Sequence, residues 1–358
     1  MKKIFFILLT FVLTFGFTDL NASEDKANNT KKEAFNAGEV IMEHLGDEHS
    51  WHILSWRETE VSIPLPVILI NDGKLTCFMS SKFNHGHSAY KGFKIGSESD
   101  GKDLSGKIIC VDPSGKYTGK QPLDFSITKN VLGIFIVAAI IICIVLSSAK
   151  KAKQREGKEP KGVQTLTEFL VDFISKDIAV PSIGEGAYLK YMNYLLSVFT
   201  FIFLCNIMGL LPFFPGGANI TGNIAVTLTL ALFTFVITQA SSTKAFWKHT
   251  INPDVPTWLK LPVPLMPALE FIEIFTKPFS LTVRLFANIT AGHVIMLSLV
   301  CIIFIFGNQS IVLGYSTSII PLIFSVFMML IELLVAFIQA YVFTLLSAIY
   351  IGMARVRH

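Results

Sequence analysis

The sequence is short of charge. Only 16% of its 358 residues are Asp, Glu, Lys or Arg, while 52% are hydrophobic; a soluble chain carries about 25% charged residues. The deficit and the long apolar runs exclude a soluble fold and imply an integral membrane protein. The chain also lacks an intact nucleotide-binding motif. Gly101 to Ile108 nearly spells a phosphate-binding loop, but Ile108 stands where the Mg²⁺-binding Ser or Thr belongs. It is read as a Gly-rich turn, so the chain is not itself a nucleotide enzyme. No internal repeat is visible, and nothing in it reads as a nucleic-acid site. Cysteine is sparse, with five scattered residues. Cys143, Cys205 and Cys301 lie in apolar spans and behave as small hydrophobes. Cys77 and Cys110 share one segment placed outside the inner membrane, where a disulfide between them is an open alternative.

The net charge of +4 is small, and its placement matters more than its size, because orientation follows Lys and Arg in short loops. Residues 1–22 read as a secretory signal: Lys2 and Lys3, an apolar core, then Leu20-Asn21-Ala22 as the cleavage site. An uncleaved anchor is the alternative. Residues 23–124 form a small, loosely structured exported (periplasmic) domain, with short strands expected at Val61 to Ile70 and Gly106 to Val111. His44, His49, His52, His85 and His87 fall there, but their spacing matches no standard ligand pattern and no metal is expected.

Residues 125–358 form the membrane domain. Val131 to Ser148 is the first span, followed by Lys150, Lys151, Lys153, Arg155, Lys158 and Lys161, a basic cluster that stays cytoplasmic. Residues 165–178 read as an amphipathic helix, lying on the cytoplasmic membrane surface or docked on another subunit. Tyr191 to Phe214 and Ile224 to Ala240 make a hairpin with an uncharged outer connection. Helices are expected at 261–306 and 319–354, joined by an uncharged turn at Gly307 to Ser318. The fold class is therefore all-α polytopic, with five membrane segments, a cytoplasmic C-terminus and the small exported domain. The last two segments are too long to stand upright. About 34 helical residues reach ~51 Å, against a hydrocarbon core of ~30 Å, so this antiparallel pair is expected to be steeply tilted.

Those two helices carry ionisable groups at membrane depth. Glu270, Glu273, Lys277, Arg284 and Asn288 fall within ~60° of one another at 100° per residue, and His293 lies on nearly the opposite face. An Arg at the bilayer centre costs about 2.5–3.5 kcal/mol on insertion scales. Unlike Lys or His, Arg284 cannot shed its proton to escape that cost. On the last helix, Ser325, Glu332 and Gln339 recur every seven residues on one face. Pairing across the expected turn sets His293 and Glu332 at similar depth, which marks them as a proton-handling pair in the outer half of the membrane.

The run Lys277-Pro278-x-Ser280-Leu281-x-x-Arg284-Leu285-Phe286-Ala287-Asn288-x-x-Ala291-Gly292-His293 closely resembles the hallmark of subunit a of F-type ATP synthases. So do the last helix, with Glu332 and Gln339-Ala340-Tyr341-Val342-Phe343, the hairpin runs Asn206 to Pro212 and Thr221-Gly222-Asn223, and Glu43-His44-Leu45. The resemblance implies a stator against a ring of c subunits in the bacterial inner membrane. Its partners would be that ring, peripheral-stalk b subunits, the remaining synthase subunits and the lipid bilayer. The translocated ion would be H⁺, with Na⁺ as the alternative, and no cofactor is implied. Carried over, Arg284 is the fixed cation facing the ring, with Asn288 and Gln339 as polar neighbours. His293 and Glu332 line the outer half-channel, and Glu270 lies toward the cytoplasmic one. Glu273, Lys277 and Ser325 are supporting candidates. The insert from about Trp56 to Asp124 departs from many family members. A self-sufficient secondary transporter is the alternative from another class, and a membrane anchor for the exported domain a third.

Overall fold

The structure, a computed structural model, describes residues 37–355 except 39–40, 43–45, 57–58, 85–87, 98–99, 101–103, 105, 113–114, 156–157, 212–215 and 252–264. The signal segment, Glu43-His44-Leu45, His85, His87 and the side chain of His52 lie outside the described residues.

Among the described residues, seven strands precede the first long helix. They are β1 (Ser50–Trp56), β2 (Thr59–Pro64), β3 (Pro66–Asn71), β4 (Lys74–Met79), β5 (Phe93–Ile95), β6 (Ile108–Cys110) and β7 (Leu123–Asp124). They form three antiparallel sheets, β1-β2, β4-β3-β7 and β5-β6. The single strand expected over Val61 to Ile70 is two, because the chain leaves β2 at Leu65 and re-pairs. Asp72 and Gly73 both take positive φ between β3 and β4, as a two-residue hairpin loop requires. Val67, Leu69, Phe83, Phe93, Ile108 and Cys110 make this unit's core.

The helices are α1 (Lys129–Gln154), α2 (Val163–Phe173), α3 (Tyr188–Leu210), α4 (Ile224–Ser241), α5 (Lys244–Ile251), α6 (Leu265–Gln309) and α7 (Ile311–Arg355). Five of them are long and apolar enough to cross a membrane: α1, α3, α4, α6 and α7. The expected amphipathic helix is α2, but regular helix stops at Phe173. Ile174–Ala179 winds as a π-helix and Val180–Ile183 as a last turn. That change of pitch splits the expected apolar face. Ile174 and Ile178 are fully buried in the membrane core, while Leu166 and Phe169 stay exposed. The core they join contains Leu195, Phe199 and Ile202 of α3, Leu281 and Leu285 of α6, and Ala340 and Phe343 of α7.

One expectation is corrected. The turn over Gly307 to Ser318 does not exist as a loop. α6 and α7 each run 45 residues and only Ser310 separates them, so their ends are 309 and 311 rather than 306 and 319. Small residues permit this tight reversal. A Cβ built on Gly314 would lie 2.7 Å from the Gly307 Cα, a contact closed to any larger residue. Of the two alternatives left open for Cys77 and Cys110, the structure has the unbonded one. Cys77 is exposed on β4 and Cys110 buried on β6, in separate sheets, and both are free.

The β-unit is fastened to the start of α1. The Asp47 carboxylate accepts from Thr128 Oγ1 (2.9 Å) and Asn130 N (3.2 Å), and Glu48 O accepts from Lys129 N (2.9 Å). Thr128 itself caps α1 by accepting from Val131 N. Trp51 of β1, 2% exposed, packs with Val137, Cys205, Met208, Ala218 and Ile220 at the same end of α1 and α3.

Candidate functional site

The polar stripe of α6 divides by exposure. Leu281, Thr282, Leu285, Ile289 and His293 turn inward and are buried. Ser280, Arg284, Ala287, Asn288, Ala291 and Ile295 lie on the other side and are exposed. Helical phase dictates this split, since 280, 284, 287, 291 and 295 recur at the three- and four-residue steps of one face. The residues flanking Arg284 on that face are small. Among the described residues, Arg284 forms no ion pair, although it lies within electrostatic reach of Tyr350 on α7. Helix α6 continues through Pro278 without interruption.

Toward the start of α6, Lys277 Nζ pairs with Glu273 Oε1 at 2.9 Å and sits over the Tyr350 ring, 5.5 Å from its centroid. Lys277, Pro278 and Leu281 line a cavity of about 30 Å³ together with Thr238, Gln239 and Tyr350. Glu270 is half-buried on the same helix.

On α7, Glu332 and Gln339 are 7% and 6% exposed, and His293 on α6 is 7% exposed. Here the Glu332 side chain of α7 lies against a glycine of α6. A Cβ placed on Gly292 would lie 2.5 Å from Glu332 Oε1, and one on Gly209 of α3 would lie 3.3 Å from His293 Nε2. Glu332 therefore sits against the residue next to His293, and His293 against α3, so both occupy one level of a three-helix junction. Both Glu332 carboxyl oxygens, Ser325 Oγ and Thr290 Oγ1 are buried with no hydrogen-bond partner among the described residues. Such groups are rare in folded proteins, and each calls for an explanation. The structure thus assembles His293 and Glu332 and, separately, Glu273, Lys277 and Tyr350. It does not join Arg284 to Asn288 or Gln339 by any hydrogen bond among the described residues.

The junction is held by polar contacts within the membrane core. Asn206 Nδ2 of α3 donates to Ala336 O of α7 (3.1 Å), and Thr221 Oγ1 donates to Asn206 Oδ1 (2.7 Å). Tyr194 OH and Thr234 Oγ1 lie 2.7 Å apart, and Thr234 Oγ1 and Ser347 Oγ 3.3 Å apart, linking α3, α4 and α7. Thr290 and Tyr350 carry no sequence signal as site residues. Gly209 and Gly292 belong to the motif runs quoted above but were given no role there; their role is close approach, which only the packed helices reveal. No group of three metal-ligating side chains occurs among the described residues; His49 instead pairs with Asp124 at 2.9 Å.

The family described as ATP synthase A chain matches residues 131–352. A second family, described as a domain of unknown function (DUF8433), matches residues 40–125. ATP synthase subunit a 2 of Chlorobaculum tepidum is 48% identical over 238 residues, covering 64% of each chain. ATP synthase subunit a of Chlorobium phaeobacteroides is 46% identical over 262 residues, covering 70% of this chain and 72% of that protein. ATP synthase subunit a of Anaeromyxobacter dehalogenans is 39% identical over 240 residues, covering 66% of this chain and 60% of that protein. The match thus spans about two thirds of the length of these curated relatives. A family match over residues 131–352, with relatives at this identity, settles the assignment: the chain belongs to the ATP synthase A chain family.

Proposed function

We propose that this chain is the stator subunit a of a rotary F-type ATP synthase, forming two proton half-channels against a ring of c subunits. The observation that carries the reading is the α6 face on which Arg284 stands exposed among Ser280, Ala287 and Ala291. A fixed cation on an uncovered face, flanked by small residues and Asn288, fits a partner that brings the opposite charge. The ring carboxyl is such a group. Arg284 favours its ionised form as it passes, and it repels cations that would leak between the half-channels. Arg284 cannot carry the proton itself. A proton crossing 100 mV releases ~2.3 kcal/mol, which is kept for rotation only while the two paths stay separate.

The buried His293 and Glu332 are assigned to the outer half-channel, with Ser325 beside them. An imidazole and a carboxyl at one level are suited to passing a proton inward. Glu270, with Glu273 and Lys277, is assigned to the cytoplasmic half-channel, and Asn288 and Gln339 to tuning the surroundings of Arg284. Residues 23–124 are placed in the periplasm and the C-terminus in the cytoplasm of a bacterial inner membrane, after removal of residues 1–22. The further partners are the peripheral-stalk b subunits and the remaining synthase subunits. H⁺ is the proposed ion. The chain performs no bond chemistry of its own in this reading.

The test is ATP-driven acidification of inverted membrane vesicles carrying Arg284→Ala, with assembly checked. Pumping is expected to vanish while the soluble head still hydrolyses ATP, and Arg284→Lys is expected to restore little of it. Unchanged pumping overturns the reading. Transport by the purified chain alone points instead to a self-sufficient transporter.

A further inference from the structure

The β4-β3-β7 sheet has one face packed on its own core and one face bare. Val67 and Leu69 of β3 point inward and are fully buried. The alternate positions point outward, and the register aligns them in three rungs. Leu75, Ile70 and Leu123 form the first. Cys77, Ile68 and Phe125 form the second, with Phe125 N donating to Ile68 O at 2.9 Å. Met79, Pro66 and Ile127 form the third, with Ile127 N donating to Pro66 O at 3.1 Å. None of the nine is charged. Leu75, Leu123 and Phe125 are 66%, 64% and 62% exposed. The charges of this sheet lie elsewhere: Asp72 pairs with Lys120 near the hairpin tip, and Asp124 pairs with His49 from the opposite face.

The sheet is also fixed in height. β7 leads into α1 through four residues, and Asp47, Glu48 and Thr128 clamp the junction. The apolar run of α1 from Val131 to Ser148 covers ~27 Å at 1.5 Å per residue, close to the ~30 Å hydrocarbon core. Residues 125–130 therefore fall at the headgroup level, where the exposed Phe125 ring can enter the headgroup–acyl boundary as the apolar residues of interfacial helices do. The rungs are spaced about 7 Å apart along the strands, so the first lies about 14 Å from the third. A headgroup layer is only about 5–7 Å deep on each side. An upright sheet would lift the Leu75 rung clear of it into water. The rungs are apolar throughout, with no trend toward polarity at the far end.

From this we propose that the outer face of the β4-β3-β7 sheet lies along the lipid headgroup–acyl boundary beside α1. The β-unit is then a membrane-seated platform, and lipid is the occupant of the bare face. This inference rests on the span assigned to α1 and does not depend on ion translocation.

A nitroxide label tests it, placed at Leu123→Cys or at Leu75→Cys in full-length chain with Cys77 and Cys143, the exposed thiols, replaced by Ser. The chain is measured alone in lipid vesicles and again in the assembled complex. Lys74→Cys at the hairpin serves as the water-exposed reference. The expected result at both sites is strong relaxation by oxygen and weak relaxation by a water-soluble nickel chelate, the ratio being at least several-fold higher than at residue 74. Strong relaxation by the chelate means the face stands in water and overturns the proposal. Weak relaxation by both agents, in the chain or only in the complex, means that protein covers the face and overturns it equally.

Discussion

At Gly292 a single methyl group would meet the Glu332 carboxyl at 2.5 Å, closer than real side-chain contacts come. Gly292→Ala is therefore expected to push Glu332 off its seat and cut proton pumping at least tenfold while the complex still assembles. Gly209→Ala meets His293 Nε2 at 3.3 Å, a separation that a small ring movement relieves, so its loss should be two- to threefold. Vesicle acidification by the two variants checks the order, and equal effects would contradict it. Arg284, Asn288, His293, Glu332 and Gln339 stood out in the sequence as candidates, because polar groups in an apolar run are visible without any structure. The glycines were not, because a glycine's meaning depends on which atom faces it across the helix pair. Asp124 marks a second residue-scale effect. Burial works to raise its carboxyl, but hydrogen bonds from His49 and from the Ser126 side chain and amide outweigh this and hold it below the usual range. A depressed carboxyl stabilises the fold fully above its ordinary value of about 3.9 and loses that contribution as pH falls through its folded value. Asp124→Asn should thus weaken the β-unit by about 1 kcal/mol at pH 7, a figure reduced for its partial exposure. The difference should shrink as pH falls through the lowered folded value of Asp124. Hydrogen exchange at the Phe125 and Ile127 amides, corrected for intrinsic rates, measures it.

Among the elements, α3 and α7 depend on Asn206. Its side chain donates to Ala336 O and accepts from Thr221 Oγ1, so Asn206→Leu strips two groups of a partner inside the membrane core. Ala336 O keeps its bond within α7, so the group left alone is the buried Thr221 hydroxyl; interhelical hydrogen bonds in membranes average about 0.6 kcal/mol, and an unpaired buried donor adds ~1–3 kcal/mol. A loss of about 1–3 kcal/mol is expected, read as a lower unfolding midpoint in detergent; an unchanged midpoint would show that the contact is dispensable. The five crossing elements were legible from hydropathy and from the placement of Lys and Arg. The α6–α7 reversal was not. Residues 307–318 are uncharged and hold two glycines, a pattern that reads equally as loop or as close-packed helix. The π-helical stretch at Ile174–Ala179 was also hidden, since no residue type there announces a change of pitch.

For the molecule as a whole, two bodies of different construction share one clamp. The membrane body is held by apolar burial and a few internal hydrogen bonds, the β-unit by short sheets around a small core. Composition announced both, and the alternation Val67-Ile68-Leu69-Ile70 suggested a strand, but only the register across β4 and β7 revealed that the outward positions are apolar in three successive rungs. The one-residue link between α6 and α7 acts at this scale too. In the proposed stator role, a turning ring would drag sideways on the face that carries Arg284. A long loop at the far end would let α6 slide along α7 like a loose blade of a pair of shears. With Ser310 alone between them and Gly314 lodged against Gly307, the pair is a closed fork. Load entering α6 would pass into α7, and through Asn206 into α3, so in that role the helix facing the rotor would be braced against torque by a reversal too short to stretch.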